Sequence, residues 1–217
     1  HGLRARLVSR AFGMDEMSDV LHSVIIPCAR PERLPRLLEA LARQTVDPVR
    51  CEVIVATPKA PRDLLPPSGW AFTWLETGSL FPPGRMRNLG AARAQGRVLF
   101  FIDDDCLPPP EWMESLGRRL DATPNVAAVG CRVVSVSGGF WPRCADYVLF
   151  SAAQPRISGY RHLGAASLAV RAEVFRQVQG FDETLLASED WDFGLRLGTA
   201  GWKSYYDAEV SVGHDHD

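Results

Sequence analysis

Lysine is nearly absent from this 217-residue chain, where only Lys59 and Lys203 interrupt a basic complement otherwise made of arginine. With a formal net charge of −2, no cationic excess exists to attract nucleic acid or an anionic membrane surface. No apolar run approaches the ~20 residues needed to cross a bilayer, so no transmembrane segment is expected. Arg4, Arg6 and Arg10 stand near the start without the apolar core of a signal peptide. Cysteine is scarce and unpatterned: five residues, at 28, 51, 106, 131 and 144. Their odd number and wide spacing give neither a zinc pattern nor a disulfide framework, so reduced thiols in a cytoplasmic protein are expected. No internal repeat is present.

What remains is ordinary for a folded domain, with 46% hydrophobic and 23% charged residues. The length suits one sizeable domain with at most a small annex. Residues 1–20 carry no motif and read as an N-terminal arm or helix. The rest reads as strand and helix in alternation. His22 to Cys28 is a buried strand closed by Pro27, and Arg30-Pro31-Glu32 opens a helix running to about Gln44. That helix shows Leu34, Leu37, Leu38 and Leu41 on one face. Further strands are expected over Cys51–Ala56 and Ala71–Leu75, then a small-residue helix from Gly84. After the central strand come a helix over Pro110–Leu120 and a strand over Val126–Val136. Ser137–Gly159 reads as a loop region or lid. A short strand, Leu168–Val170, precedes a helix, Ala172–Val178, ended by Gly180. Ser188 is placed to cap a helix beginning Glu189-Asp190-Trp191, and Lys203–Tyr206 and Glu209–Val212 read as two final strands. Such alternation predicts an α/β domain with a mostly parallel central sheet flanked by helices.

The stretch Val98-Leu99-Phe100-Phe101-Ile102-Asp103-Asp104-Asp105-Cys106 organises the rest. Five apolar residues read as a strand buried on both faces. Three carboxylates follow at once, and burying them unpartnered would be costly, so they are expected at the strand's exposed C-terminal end, where open sheets bind ligands. Alternate side chains of an extended segment point the same way, which would let Asp103 and Asp105 share a target. Hard oxygen ligands suit Mg²⁺ or Mn²⁺, with room left for substrate phosphates. A plain acidic turn capping the next helix is the competing reading.

Two more islands carry chemistry-bearing residues. Glu189-Asp190 stands at a helix start, where the dipole favours negative charge. His214 and His216 stand near the end of the sequence. In this order the three islands resemble glycosyltransferase family 2, nucleotide-sugar enzymes with the GT-A fold. Arg87-Asn88-Leu89-Gly90 with Gly96, then Phe101-Ile102-Asp103-Asp104-Asp105, is similar to the family's Arg-Asn-x-Gly helix and Asp-x-Asp strand. Gly164 to Arg171 and Gly180-Phe181-Asp182-Glu183 resemble its segment before the catalytic acid. Glu189-Asp190 matches its Glu-Asp pair, and Val212-x-His214 its late histidine.

The resemblance implies a Rossmann-like GT-A catalytic domain over residues 21–217, with a nucleotide-binding half (21–108) and a smaller acceptor-binding half (109–217). It implies an inverting, metal-dependent transfer of a sugar from a nucleoside diphosphate donor to an acceptor hydroxyl. Asp190 would be the general base, with Glu189 ranked second. Asp105, Asp103 and His214 would hold Mn²⁺ or Mg²⁺. Pro27, Arg30, Arg87, Asn88, Asp103 and Asp104 would bind the donor, with Arg87 on the base or phosphates. Trp191 and Trp141 would face the acceptor, and Trp112 is a further aromatic candidate. Ala56-Thr57-Pro58-Lys59 stands where family members commonly carry base-reading aspartates, which leaves UDP only as the default nucleotide. The acceptor, whether saccharide, lipid carrier or small molecule, stays open. A cytoplasmic location is implied, or a peripheral one at the inner membrane face.

Two other functions fit the same skeleton. A nucleotidyltransferase making sugar nucleotides would want a Gly-rich basic loop after the first strand, and Pro27-Cys28-Ala29-Arg30 supplies no glycine. A non-catalytic nucleotide-sugar-binding protein would have no use for the Glu189-Asp190 pair, since an unpaired acid facing a sugar costs binding.

Overall fold

The computed structural model describes residues 20–61, 63, 64, 66, 68–136 and 158–215. The residues expected to form the N-terminal arm (all but Val20), most of the expected lid, Trp141 and His216 lie outside them. Strand β1 (His22–Pro27) leads through a 3-10 turn (Pro31–Arg33) into α1 (Leu34–Ala42). Next come β2 (Cys51–Thr57), β3 (Ala71–Glu76), α2 (Pro83–Ala91) and β4 (Val98–Ile102). Then follow β5 (Cys106–Leu107), α3 (Trp112–Ala122), β6 (Val126–Ser135), β7 (Gly159–Tyr160) and β8 (Ser167–Arg171). α4 (Ala172–Gln177), α5 (Glu189–Thr199) and β9 (Lys203–His214) complete the described chain.

Among the described residues one sheet runs in the order β3-β2-β1-β4-β8-β6-β9-β5, with β7 on β9. Parallel pairing holds through β3, β2, β1 and β4, and again between β6 and β9. β8 lies antiparallel to both β4 and β6, and β5 and β7 run against β9. The expected parallel pattern thus belongs to the first half, and the sheet as a whole is mixed.

β2 is buried along its whole length, and β4 is buried from Leu99 onward, as an apolar run covered on both faces should be. The α1 leucines at 34, 37, 38 and 41 all face the core. α1 starts later and stops earlier than its pattern suggests. Gln44 is used elsewhere: its Oε1 accepts the Met113 N–H at 3.0 Å, satisfying one of the orphan donors at the start of α3. The two expected C-terminal strands are one strand with a bulge. Cys131 pairs with Asp207 and its neighbour Arg132 with Ser211, and the Asp207 carboxylate accepts the Glu209 N–H inside the bulge at 3.1 Å.

α2 approaches the sheet closely because Gly90 lacks a side chain. A Cβ there would lie 2.5 Å from Ile25 Cγ2 on β1, a clash that would push the helix outward and move Arg87 with it. α5 is fixed by Phe193, which joins Phe101, Phe175 and Phe181 in a cluster with ring centroids 4.9–5.5 Å apart. Such pairs add roughly 0.5–1.5 kcal/mol each beyond burial.

Candidate active site

The C-terminal ends of β1 and β4 and the start of α2 enclose one cavity. Pro27, Cys28, Ala29 and Arg30 form one wall, Leu80, Phe81, Pro83, Met86 and Arg87 another, and Asp103, Asp104 and Asp105 the floor. Five of the six expected donor residues therefore converge, Asn88 being the exception. Its amide donates to the Phe181 carbonyl at 2.8 Å and accepts the Phe181 N–H at 2.9 Å. Asn88 is a clamp on the turn before α5, on the far side of the helix from the cavity. Leu80, Phe81 and Met86 carried no signal in the sequence, because apolar lining looks like core.

The three aspartates diverge. β4 stops at Ile102, and the Cys106 N–H donates back to the Asp103 carbonyl at 3.1 Å. Asp103–Cys106 is therefore a turn, and the alternation expected of an extended segment does not apply. Asp103 meets Arg87 Nη2 at 2.5 Å. Asp104 is buried and accepts the backbone N–H groups of Ala29 and Arg30, each at 2.8 Å. Burial pushes its carboxyl above the usual range, while those two donors pull the other way. Asp105, also buried rather than exposed, binds Arg30 Nη2, lies 3.5 Å from Arg33 Nη1, and has His214 Nε2 at 3.4 Å.

His214 reaches this position because β5 and β9 pair in a register that sets Cys106 opposite His214. The next residue reinforces it: the Asp215 N–H donates to the Asp105 carbonyl at 2.9 Å, and Arg33 Nη1 donates to the Asp215 carbonyl at the same distance. Ligand atoms of Asp105, Cys106 and His214 lie within 4.8 Å of one another. The oxygen and imidazole donors suit Mn²⁺. Burial raises the Cys106 thiol well above its ordinary range, so it stays protonated and is the weakest donor of the three. Asp103, the other expected ligand, is outside this group and turned to Arg87.

Arg87 is not a surface group waiting for phosphate. It is buried, with Nη1 on Glu189 Oε1 at 2.6 Å and Nη2 on Asp103. Burial alone would lower its pKa, yet the two carboxylates outweigh that and raise it. The guanidinium fork thereby ties the end of β4 to the start of α5.

Glu189 and Asp190, adjacent in sequence, have opposite surroundings. Glu189 is buried on Arg87. Asp190 is half-buried, its Oδ2 accepting the Ala165 N–H at 3.2 Å and its Oδ1 the Trp191 N–H at 2.8 Å. No cation pairs with it among the described residues. Ser188 does not cap α5 with its side chain; its backbone is left-handed at φ 64°. Trp191 is 54% exposed and stacks on His162 with ring centroids 4.1 Å apart. His162 fits there because α5 has Gly194, where a Cβ would meet its Nδ1 at 2.7 Å. Trp112, by contrast, is fully buried, and its indole N–H donates to Ser167 Oγ at 2.9 Å, which removes it from the aromatic candidates.

Known proteins resemble this chain in sequence and in fold. Residues 80–175 match the model for glycosyl transferase family 2, a span holding α2, β4 and the aspartates. The pre-mycofactocin glycosyltransferase of Mycobacterium tuberculosis is 34% identical over 143 residues, 62% of this chain and 30% of that protein. S. aureus TarS in complex with UDP-GlcNAc superposes with a TM-score of 0.69 at 16% identity, over 91% of this chain and 59% of that one. The mannosyltransferase PcManGT from Pyrobaculum calidifontis, with GDP-Man and Mn²⁺, gives 0.67 at 19% identity, over 89% and 56%. The chain thus spans about a third of that curated relative and somewhat more than half of each of these two solved structures. No helix among the described residues is long and apolar enough to cross a membrane. Residues 80–175 thus resemble glycosyltransferase family 2, and the described chain has the GT-A fold of these solved structures.

Proposed function

We propose that the domain transfers a sugar from a nucleoside diphosphate donor to an acceptor hydroxyl with inversion, using Asp190 as the general base. The single observation that supports this most is the contrast within the Glu189-Asp190 pair. Glu189 is buried and bound to Arg87, whereas the Asp190 carboxylate is partly open and, among the described residues, held only by two backbone N–H groups. Those hydrogen bonds orient it without neutralising it, which suits a proton acceptor. Asp190 takes the acceptor's hydroxyl proton as that oxygen attacks the anomeric carbon. The bond to the diphosphate oxygen breaks with its electron pair leaving on the diphosphate. One displacement from the opposite face inverts the anomeric centre.

The donor is assigned to the cavity between Pro27, Arg30 and Asp103–Asp105. Its nucleotide is open between the two chemistries seen in the structural relatives, UDP-GlcNAc in TarS and GDP-Man in PcManGT. UDP is the first to test. Asp105 and His214 are the residues suited to hold a divalent cation, Mn²⁺ or Mg²⁺. Bound there, such an ion would neutralise charge developing on the departing diphosphate. Trp191, open on the face away from His162, is the acceptor contact.

Asp190→Asn tests the reading. Transfer is expected to fall by about 10²–10⁴, the usual contribution of a positioned base, with nucleotide affinity and melting temperature unchanged. Glu189→Gln should instead lower stability. Near-normal turnover in Asp190→Asn would reject Asp190 as the base.

A further inference from the structure

The carboxylate on which the cation site depends is already matched by cations of the chain itself. Asp105 binds Arg30 through Oδ2 and lies 3.5 Å from Arg33. The two arginines are held differently. Arg33 is 19% exposed and also donates to the Asp215 carbonyl, so a second partner fixes it. Arg30 has its backbone N–H anchored on Asp104, while its side chain is 43% exposed and its guanidinium pairs only with Asp104 and Asp105 among the described residues. A side chain tethered at its backbone and half in water can leave a carboxylate without disturbing the loop that carries it.

We infer that Arg30 is an exchangeable counter-cation: it neutralises Asp105 in the cation-free protein, yields that oxygen to an incoming divalent ion, and then serves the diphosphate of the donor. The first half stands on the ion pairs alone. The second half rests on the donor reading above and on Arg30 lining the cavity beside Pro27 and Asp103. A planar guanidinium fork suits phosphate oxygens. Two consequences follow physically. A divalent ion must displace a bound guanidinium, so it binds weakly by itself. Displacement frees a phosphate ligand, so ion and diphosphate strengthen each other's binding, and by the same factor.

Mn²⁺ alone is titrated into wild type, Arg30→Ala, Arg30→Gln and Arg30→Lys, with free ion read by electron paramagnetic resonance and folding checked by circular dichroism. The neutral variants are expected to bind Mn²⁺ roughly fivefold more tightly, the scale of a half-exposed ion pair. Arg30→Lys keeps the charge and is expected to stay near wild type. UDP is then titrated at saturating Mn²⁺, where Arg30→Ala is expected to bind about tenfold more weakly for want of one charge-assisted contact. Equal Mn²⁺ affinities in wild type and the neutral variants overturn the exchange. Equal UDP affinities overturn the second role. A wild-type protein that takes Mn²⁺ but no nucleoside diphosphate refutes the donor reading and that second role, and the Mn²⁺ comparison still decides the exchange.

Discussion

The end of β4 and the start of α5 are both acidic, and the fold treats them oppositely. At β4 every carboxylate is matched: Asp103 by Arg87, Asp104 by two backbone N–H groups, Asp105 by Arg30 with Arg33 and His214 near. At α5 Glu189 is matched by Arg87 and Asp192 by Arg196, while Asp190 between them has no cationic partner among the described residues. Matching is what allows an acid to be buried. The unmatched one is only half-buried, and its carboxylate is left open to a substrate. Arg87 joins the two regions, so the proposed cation site and the proposed base are held in one frame.

The hardest way to break the comparison is to remove that joint. Arg87→Ala leaves Glu189 buried without its cation, and breaking such a pair costs about 3–5 kcal/mol. Chemical denaturation should show that loss, whereas Asp190→Asn should show almost none. Arg87→Lys should fall between, because an ammonium cannot present the two-pronged fork that meets both carboxylates. A loss below about 1 kcal/mol in Arg87→Ala, the level of an exposed pair, would mean that the two regions are not coupled through this residue.

A second break concerns the cation. Asp105→Ala removes the carboxylate of the Asp105–His214 pair, and Mn²⁺-dependent binding of a nucleoside diphosphate is expected to disappear. Calorimetric curves that superimpose with and without Mn²⁺ in wild type would reject the site itself.

The framework was legible in the sequence wherever burial alone decides structure. The apolar run 98–102, the α1 leucines and the strand at β2 needed only the rule that continuous apolar segments are covered on both faces. Convergence of Pro27, Arg30, Arg87 and the aspartates followed from motif order. Partner choice was not legible. Nothing local to Asp103-Asp104-Asp105 says that the chain turns after Ile102, or that Asp103 goes to Arg87 while Asp104 and Asp105 share Arg30. Arg87 gave the sequence signal of a phosphate ligand because burial of a helix face by α5, about a hundred residues later, has no local trace. β8's antiparallel direction and the bulge at Asp207 are likewise set by tertiary pairing. His162 had no signal at all: its role depends on Gly194 two turns into another element.

That pair offers the finest adjustment of the comparison, because it acts beside the unmatched acid without touching its charge. Trp191 presents an exposed ring face one residue from Asp190, and His162 covers the opposite face. An aromatic face of this kind stacks on the apolar side of a ring substrate. With the acceptor identified, Trp191→Ala should raise its KM about tenfold, since a lost stacking contact of about 1.5 kcal/mol corresponds to that factor. The donor KM should not move. His162→Ala removes only the support and leaves the indole free to rotate, so a smaller rise of about two- to threefold is expected, from the entropy of re-ordering one side chain. Gly194→Ala should resemble His162→Ala, as the added methyl displaces the imidazole rather than the indole. If His162→Ala instead changed the donor KM, the stacked pair would belong to the matched, donor-side region, and Asp190 would have to be flanked by donor on both sides.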